Sequence, residues 1–350
     1  MSLHVIILAA GQGSRMKSTL PKVIHSIAGK PMLQHVLDTA KTLGADGIHV
    51  VVGHEADKVK EVISDDVNWC FQAQQLGTGH AVAQAIDGIP RDAKVLILYG
   101  DVPLTTTDTL DTLVNEVDQQ HLALLTVYLE DPSGYGRIIR DEDGSIESIV
   151  EEKDANELER QVNEVNTGIM AVSAEVLHKL IPELGNTNAQ KEYYLTDLIE
   201  MSVRQGYSIV GQQPDYEQEV QGVNNRLQLC ELECWYQSRI AEQLMLDGVT
   251  LFDPNRLDVR GSLQCGQDVI IDLNCIFEGD VTLADGVVIG PNCIIKNSSI
   301  AKNSVIHANS IIESSTLADN TNVGPFARLR PGTKLETGAK VGNFVETKKT

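Results

Sequence analysis

No run of residues in this chain approaches the roughly 20 apolar positions that a membrane-spanning helix needs. The apolar start, His4–Ile7, follows no basic segment and is too short for the core of a signal peptide. It reads as a buried first strand, and the expected location is cytoplasmic. Positive charge is scarce: 28 Lys and Arg stand against 49 Asp and Glu, a net charge of −21. Nucleic acid and anionic membrane need a basic partner surface, so neither is expected as a partner. Any phosphate site must be locally basic or use a metal ion. The six cysteines, Cys70, Cys230, Cys234, Cys265, Cys275 and Cys293, contain no Cys-x-x-Cys pair, and free packed thiols are the simplest reading. Two nucleotide signatures are missing as well. Gly11-x-Gly13-x-x-Met16 lacks the third glycine of the dinucleotide fingerprint, and there is no GxxxxGK[ST] P-loop. An NAD enzyme and the usual ATPase both lose ground.

What is present divides in two. With 350 residues, 42% of them hydrophobic, the chain can build two domains or one large one. Short apolar runs at Gly47–Gly53, Lys94–Asp101 and Leu122–Leu129 end at turn residues and suit strands buried on both faces. Between the first strand and Gly47, residues 31–44 place Met32, Leu33, Val36, Leu37, Ala40 and Leu43 on one helical face, with Pro31 at the start and Gly44 at the end. Alternation of this kind predicts an α/β domain, Rossmann-like, with a mainly parallel sheet.

From about residue 250 the rhythm changes to six. Steps of six from Leu257 reach Leu263, Val269, Cys275, Val281, Val287, Cys293, Ser299, Val305, Ile311, Leu317, Val323, Leu329, Leu335 and Val341, apolar at every step except Ser299 if cysteine is counted as apolar. That is the hexapeptide signature of a left-handed parallel β-helix. Three hexapeptides per coil put Cys275 and Cys293 in one inward column, as two small core residues. Residues 224–248 read as one connecting helix, with Asn available as N-cap and Gly as terminator. The expected division is 1–223, a linker helix at 224–249, and the β-helix over 250–350. The six-residue rhythm reaches Thr347 with no capping segment, so the expectation is a truncated version of a longer chain.

The loop after the first strand, "LAAGQGSRM", brings Arg15 just past two glycines and Lys22 just past Pro21. Backbone donors and two cations equip such a loop for a polyphosphate, although a tight turn with solvated cations reads equally well. "LAAGQGSRM" with "PK" is similar to the signature of sugar-nucleotide pyrophosphorylases. The similarity continues through "QAQQLGTGHA" (72–81), "LYGDVPL" (98–104), "GYGRI" (134–138), "IVEEKDA" (149–155), "NTGI" (166–169), "EYYLTD" (192–197) and "GVNNRLQL" (222–229). Followed by hexapeptides with "GPFARLRPG" and "KVGNFVETKK", the whole resembles the bacterial family of bifunctional N-acetylglucosamine-1-phosphate uridyltransferase / glucosamine-1-phosphate N-acetyltransferases.

The resemblance implies transfer of UMP from UTP to N-acetylglucosamine 1-phosphate with release of pyrophosphate, aided by Mg²⁺. Arg15, Lys22 and Asp101 would serve the triphosphate and the catalytic step. Leu8, Ala9, Ala10 and Gly11 would line the nucleotide, Gln72, Gly77 and Thr78 the uracil, and Tyr99 and Gly100 the ribose. Asp101 and Asn224 would hold the metal; Asn224 could simply cap the connecting helix, or serve both purposes. Gly136, Glu151 and Asn166 would meet the acceptor sugar. Position favours Glu151 over Glu152, although "EEKD" also fits a solvated face. "GTG" could be an ordinary turn, and His80 reads as a structural helix residue. Arg330 and Lys348 match residues that contact the sugar phosphate of the acetyl-acceptor site. The acetyltransferase histidine and most acetyl-CoA contacts of the family fall past residue 350, so this chain is expected to lack acetyl transfer. The family assembles as homotrimers through the β-helix. The alternative reading is another sugar-1-phosphate nucleotidyltransferase with a regulatory β-helix.

Overall fold

The computed structural model describes residues 1–348. Contacts divide it into two compact units, Met1–His25 with Pro31–Leu229, and Ser26–Lys30 with the residues from Cys230 onward. The helix Arg226–Leu246 carries the chain from the first to the second.

The first unit is built on one sheet. Its strands lie in the order Ser208–Gln212, His121–Tyr128, Glu164–Ser173, Lys94–Tyr99, Leu3–Leu8, Gly47–Val52 and Asn68–Phe71. All neighbours are parallel except Glu164–Ser173, which runs antiparallel to both of its own. The central strands are apolar on both faces, as strands covered on both sides must be. Val5, Ile7, Leu96 and Leu98 enter one core cluster, while Ile6, Leu8, Val95 and Ile97 enter another. The helix Met32–Thr42 buries Met32, Leu33, Val36, Leu37 and Ala40. Gly44 follows with φ +74°, the left-handed turn that ends a helix.

A hairpin, Arg137–Arg140 with Ile146–Val150, hangs on Glu164–Ser173. Arg140 Nε and Nη2 donate to the two oxygens of buried Glu164 at 2.8 and 2.6 Å, and Thr126 Oγ1 donates to it at 2.8 Å. Burial pushes the Glu164 carboxyl up, but these donors outweigh it and hold it below the usual range.

The second unit is the left-handed parallel β-helix. One face stacks strands starting at Thr250, Ile270, Val288, Val305, Asn322 and Lys340. The long strands Leu257–Cys265 and Cys275–Leu283 pair residue for residue and span the other two faces. They turn the corner at Gly261 and Gly279, both at positive φ. Cys275 and Cys293 occupy successive coils, fully buried, as free thiols that burial pushes up to about 12 and about 11.

The six-residue column is not inward throughout. Coil partners are 18 apart at Leu257↔Cys275 and Ile276↔Ile294. They are 17 apart from Thr282↔Ser299 through Ile311↔Arg328, and 18 again from Thr316↔Lys334. Two corners are each one residue short, at Asn297 and at Ser314, both left-handed. Beside each, a buried serine closes the tightened turn: Ser298 Oγ donates to Lys296 O at 2.6 Å, and Ser315 Oγ to Glu313 O at 2.7 Å. The phase therefore slips. Ser299 is exposed, Val305 and Ile311 are only half-buried, and Ile300, Ile306 and Ile312 fill the core instead. Ser299 is thus the first sign of a slip and not a lone polar exception.

Ser26–Lys30 joins the second unit because Ala28 N–H donates to Glu233 Oε2 at 2.7 Å and Gly29 lies against Arg260. Among the described residues no helix is long and apolar enough to cross a membrane.

The tightest point of the β-helix is Gly261. Its φ is +137°, and a Cβ there would sit 2.4 Å from Gly279 O. Backbone cannot yield to such a clash. Gly261→Ala is expected to destabilise the second unit by on the order of 3 kcal/mol, read as a lower urea midpoint at pH 7 against the parent chain.

Candidate active site

Strands Leu3–Leu8 and Lys94–Tyr99 end together, Leu8 opposite Tyr99. The chain then opens into "AAGQG" on one strand and "GD" on the other, so both sets of residues meet at the carboxyl edge of the sheet, where open α/β folds bind ligands. Gly100 N–H donates to Leu8 O at 2.9 Å and Ala9 N–H to Val51 O at 2.8 Å, which fixes the rim. Val223 N–H donates to Asp101 O at 2.9 Å and so brings Asn224 beside Asp101. The side chain that caps the connecting helix is Asn225, whose Oδ1 accepts from Leu227 and Gln228 N–H at 2.9 and 3.0 Å. Asn224 is thereby left to face the loop.

The charged groups converge. Lys22 Nζ donates to Asp101 Oδ2 and, at 3.2 Å, to Asn224 Oδ1. Arg15 Nη2 donates to the same Asn224 oxygen at 2.8 Å. Gly13, at φ +62°, lies on the stem of Lys22: a Cβ on it would come 2.6 Å from Lys22 Cβ. Asp101 Oδ2 and Asn224 Oδ1 already share one cation, the Lys22 ammonium, so they are spaced for a bridging cation. A carboxylate plus an amide carbonyl is a hard-oxygen pair of the sort that suits a divalent ion sharing its other positions with phosphate and water. No group of three or more His, Cys, Asp or Glu among the described residues offers a protein-only cage. The donor set fits the metal that the resemblance implies.

Beside this cluster lies a cleft of about 270 Å³. Leu8, Ala9, Ala10, Gly11, Lys22, Gln72, Gly77, Thr78, Tyr99 and Asp101 all line it. Arg15 and Gly100 do not. Gly100 is packed, since a Cβ there would touch Ala9, Val23 and Leu33 within 3.4 Å. The cleft also takes in Gln75 and Glu192. Gln75 sits inside "QAQQLGTGHA" and donates to Ala10 O at 3.0 Å; its amide in that motif was the available signal for it. Gln72 is buried, donates to Gly77 O at 3.2 Å and lies 3.0 Å from His80 Nδ1, so His80 in its helix Thr78–Ala83 steadies that amide. Gly77 has φ +118° and passes so close to Tyr193 that a Cβ would sit 2.5 Å from its carbonyl oxygen.

A second group gathers around Tyr99. Glu151 accepts from Thr196 Oγ1 at 3.0 Å, and Asn166 N–H donates to Gly136 O at 2.8 Å. Asn166 Oδ1 accepts from Gly168 N–H at 2.9 Å. Gly168, at φ +87°, packs on the Tyr99 ring, where a Cβ would come within 2.6 Å. A Cβ on Gly136 would lie 3.5 Å from Glu151 Oε2. Gly136, Glu151, Asn166 and Tyr99 thus form one neighbourhood. Burial, then Asp197, Asp154 and Glu192, hold the Glu151 carboxyl above its usual range against the Thr196 hydrogen bond. Burial, then Glu151 and Asp101, raise the Tyr99 phenol. Glu152 turns the other way and pairs with buried Arg137 at 2.6 Å. In the β-helix, Leu329 pairs with Thr347, which makes Arg330 and exposed Lys348 neighbours on successive coils; Arg330 Nε lies 3.5 Å from Glu346.

Fold and site together define a nucleotidyltransferase: a mainly parallel sheet with a glycine loop, two cations and an acid–amide pair at its carboxyl edge. The family model of the MobA-like NTP transferase domain matches residues 5–157, and that of the GMPPB C-terminal domain matches residues 259–349. The chain belongs to the family of the bifunctional protein GlmU. The protein of that name from Marinobacter nauticus is 60% identical over 348 residues, 99% of this chain and 77% of that protein. The one from Chromohalobacter salexigens is 55% identical over 299 residues, 85% of this chain and 66% of that protein. A solved candidate glucose-1-phosphate thymidylyltransferase from Bacillus anthracis shares the fold at 18% identity and a TM-score of 0.53, covering 67% of this chain and 95% of its own.

If Asp101 serves the metal and not the fold, its removal should cost turnover alone. Asp101→Ala is expected to lower kcat on the order of 10²–10³-fold, the scale of losing one preorganised charge contact, with the parent's circular dichroism spectrum and thermal midpoint retained.

Proposed function

We propose that the first unit joins UTP to N-acetylglucosamine 1-phosphate, forming UDP-N-acetylglucosamine and pyrophosphate. The observation that carries this reading is the convergence of Lys22, Arg15, Asp101 and Asn224 beside a cleft lined by Tyr99, the residue around which Glu151 and Asn166 gather. The acceptor phosphate has a second pKa near 6 and is already largely a dianion at neutral pH. It needs no general base, which accounts for the lack of a nucleophile–base pair among the residues gathered here. What it needs is alignment on the α-phosphorus and relief from like-charge repulsion. One of its oxygens attacks that phosphorus, the bond to the bridging oxygen breaks, and pyrophosphate leaves with the electron pair.

Each residue has a part in that displacement. The Leu8–Gly11 backbone lets the nucleotide approach closely. Gln72 keeps its amide oxygen to accept from the uracil N–H, since Gly77 O and His80 Nδ1 take its two amide hydrogens. Lys22 and Arg15 neutralise charge on the triphosphate and the departing pyrophosphate. Asp101 and Asn224 would hold Mg²⁺, which when bound supplies positive charge at the α-phosphate. Glu151 and Asn166 offer paired acceptors and donors to the hydroxyls and N-acetyl group of the sugar. Arg330 and Lys348 would contact glucosamine 1-phosphate in the acetyl transfer of the whole protein, with acetyl-CoA as donor and the β-helix as the seat of a homotrimer.

With the protein, UTP and N-acetylglucosamine 1-phosphate, pyrophosphate should appear in the presence of Mg²⁺ and stop when EDTA is added. A strong preference for plain glucose 1-phosphate would overturn the choice of sugar and favour the rival nucleotidyltransferase.

The raised Glu151 carboxyl gives a second expectation. Above its pKa the carboxylate accepts from a sugar hydroxyl; as pH falls through that pKa the acceptor is lost, so KM for the sugar phosphate should rise on the acid side. Glu151→Gln should raise that KM roughly tenfold at pH 8 and lessen its rise on the acid side to the part that the substrate phosphate itself contributes, with KM for UTP unchanged. An unaltered profile in the variant would place Glu151 outside the sugar site.

A further inference from the structure

Lys22 occupies an odd position for a residue whose task is to meet phosphate. Its ammonium is spent on Asp101 and Asn224, the two oxygens that fit a divalent ion, and its side chain is only 13% exposed. Asn224 Oδ1 takes Arg15 as well. A bridging metal and this ammonium cannot share the same two oxygens, because two positive charges within hydrogen-bond distance of one carboxylate repel one another strongly at low local dielectric. A bare Asp101 in that recess would in turn be a poorly solvated anion.

We propose that Lys22 is a placeholder cation: it fills the metal seat while nucleotide is absent, and the entering metal displaces its ammonium onto the triphosphate. The inference rests on the metal seat proposed above. The stem of Lys22 stays where Gly13 packs on its Cβ, and only the flexible outer carbons turn. The seat therefore holds one cation in both states, the ammonium without nucleotide and the divalent ion with it. Metal without nucleotide must compete with an ammonium that has nowhere better to go. Metal arriving with UTP releases that ammonium to a stronger partner, so metal and nucleotide bind cooperatively. Gly13 is by the same argument a positioning residue, since a side chain there would push the stem off its track.

The test is Mn²⁺ binding to the whole chain, followed by loss of the free-ion paramagnetic resonance signal, together with UTP binding by calorimetry. Without nucleotide, Lys22→Met is expected to bind Mn²⁺ roughly tenfold more tightly than the parent, and with Mn²⁺ present to bind UTP more weakly. The opposite signs are the mark of a placeholder. Lys58→Met removes a surface ammonium that lies on Thr19 O and Glu55, and it should leave both affinities unchanged. Mn²⁺ binding to Lys22→Met no tighter than to the parent, or an equal gain in Lys58→Met, overturns the placeholder. Asp101→Asn separates the two levels. If it still takes up Mn²⁺ with UTP as the parent does, the metal seat itself is wrong; if it loses that uptake while Lys22→Met shows no gain, the seat stands and only the placeholder falls.

Discussion

Everything at the carboxyl edge of the sheet depends on holding positive charge in one place on a chain of net charge −21. Long-range attraction brings no phosphate to such a surface; the overall field repels it. The site must work at contact range, where few groups at short distance outweigh many at long distance, since salt screens charges beyond about 8 Å. The Lys22, Arg15, Asp101 and Asn224 cluster does this with two cations and one anion. It carries a local positive excess, yet every charged group in it has a partner. The glycine loop follows from the same constraint. Gly13 has no side chain because Lys22 must lie directly beneath it.

Much of this was legible in the sequence, for a definable reason. Buried parallel strands read as apolar runs, and glycine and proline mark the loops between them. The first unit could therefore be laid out, and the residues after Leu8 and Tyr99 placed at one edge. The rest depended on contacts between distant segments. Nothing local distinguishes Asn224 from Asn225, since both are amides before a helix. The structure separates them because Val223 hydrogen-bonds to Asp101 O, which turns Asn224 toward the loop and leaves Asn225 to cap. Glu151 and Glu152 part in the same way, one toward Thr196 and the other toward Arg137. The strand Glu164–Ser173 gives no local sign of running antiparallel, and the short piece Ser26–Lys30 owes its place to Glu233 and Arg260, more than 200 residues away.

The β-helix shows a subtler limit. A period of six identifies the fold because no helix or hairpin produces it, but the period says nothing of phase. Each hexapeptide turns two residues inward, and two deletions of one residue move the six-step count from the first inward position to the second. Both positions are apolar in the early coils, so the count stays apolar while its meaning changes. Ser299 is where the count crosses the gap. After the first short corner the leading inward positions become Ser298, Ser304, Ser310 and Ser315, buried hydroxyls that bond to backbone or to the next coil. Polarity in this core is tolerated because each hydroxyl takes part in a hydrogen bond.

The two groups of residues on either side of Tyr99 have opposite character, and the proposed chemistry gives that opposition a use. One group is cationic, around Lys22 and Arg15. The other is acidic, with Glu151 raised by burial and by Asp197, Asp154 and Glu192. An acidic pocket is a poor place for a phosphate and a good one for sugar hydroxyls, which need acceptors. On the function proposed above, a sugar phosphate would be oriented by both groups, its ring drawn to Glu151 and Asn166 and its phosphate driven toward the cations. Tyr99, a neutral phenol that feels both Glu151 and Asp101 and has its ring against Gly168, adds no charge to either group. A phenol is protonated across the neutral range, and burial raises this one further. In that proposal orientation would come from the contrast of charge across Tyr99, with the attacking dianion pushed by the acids toward the phosphorus.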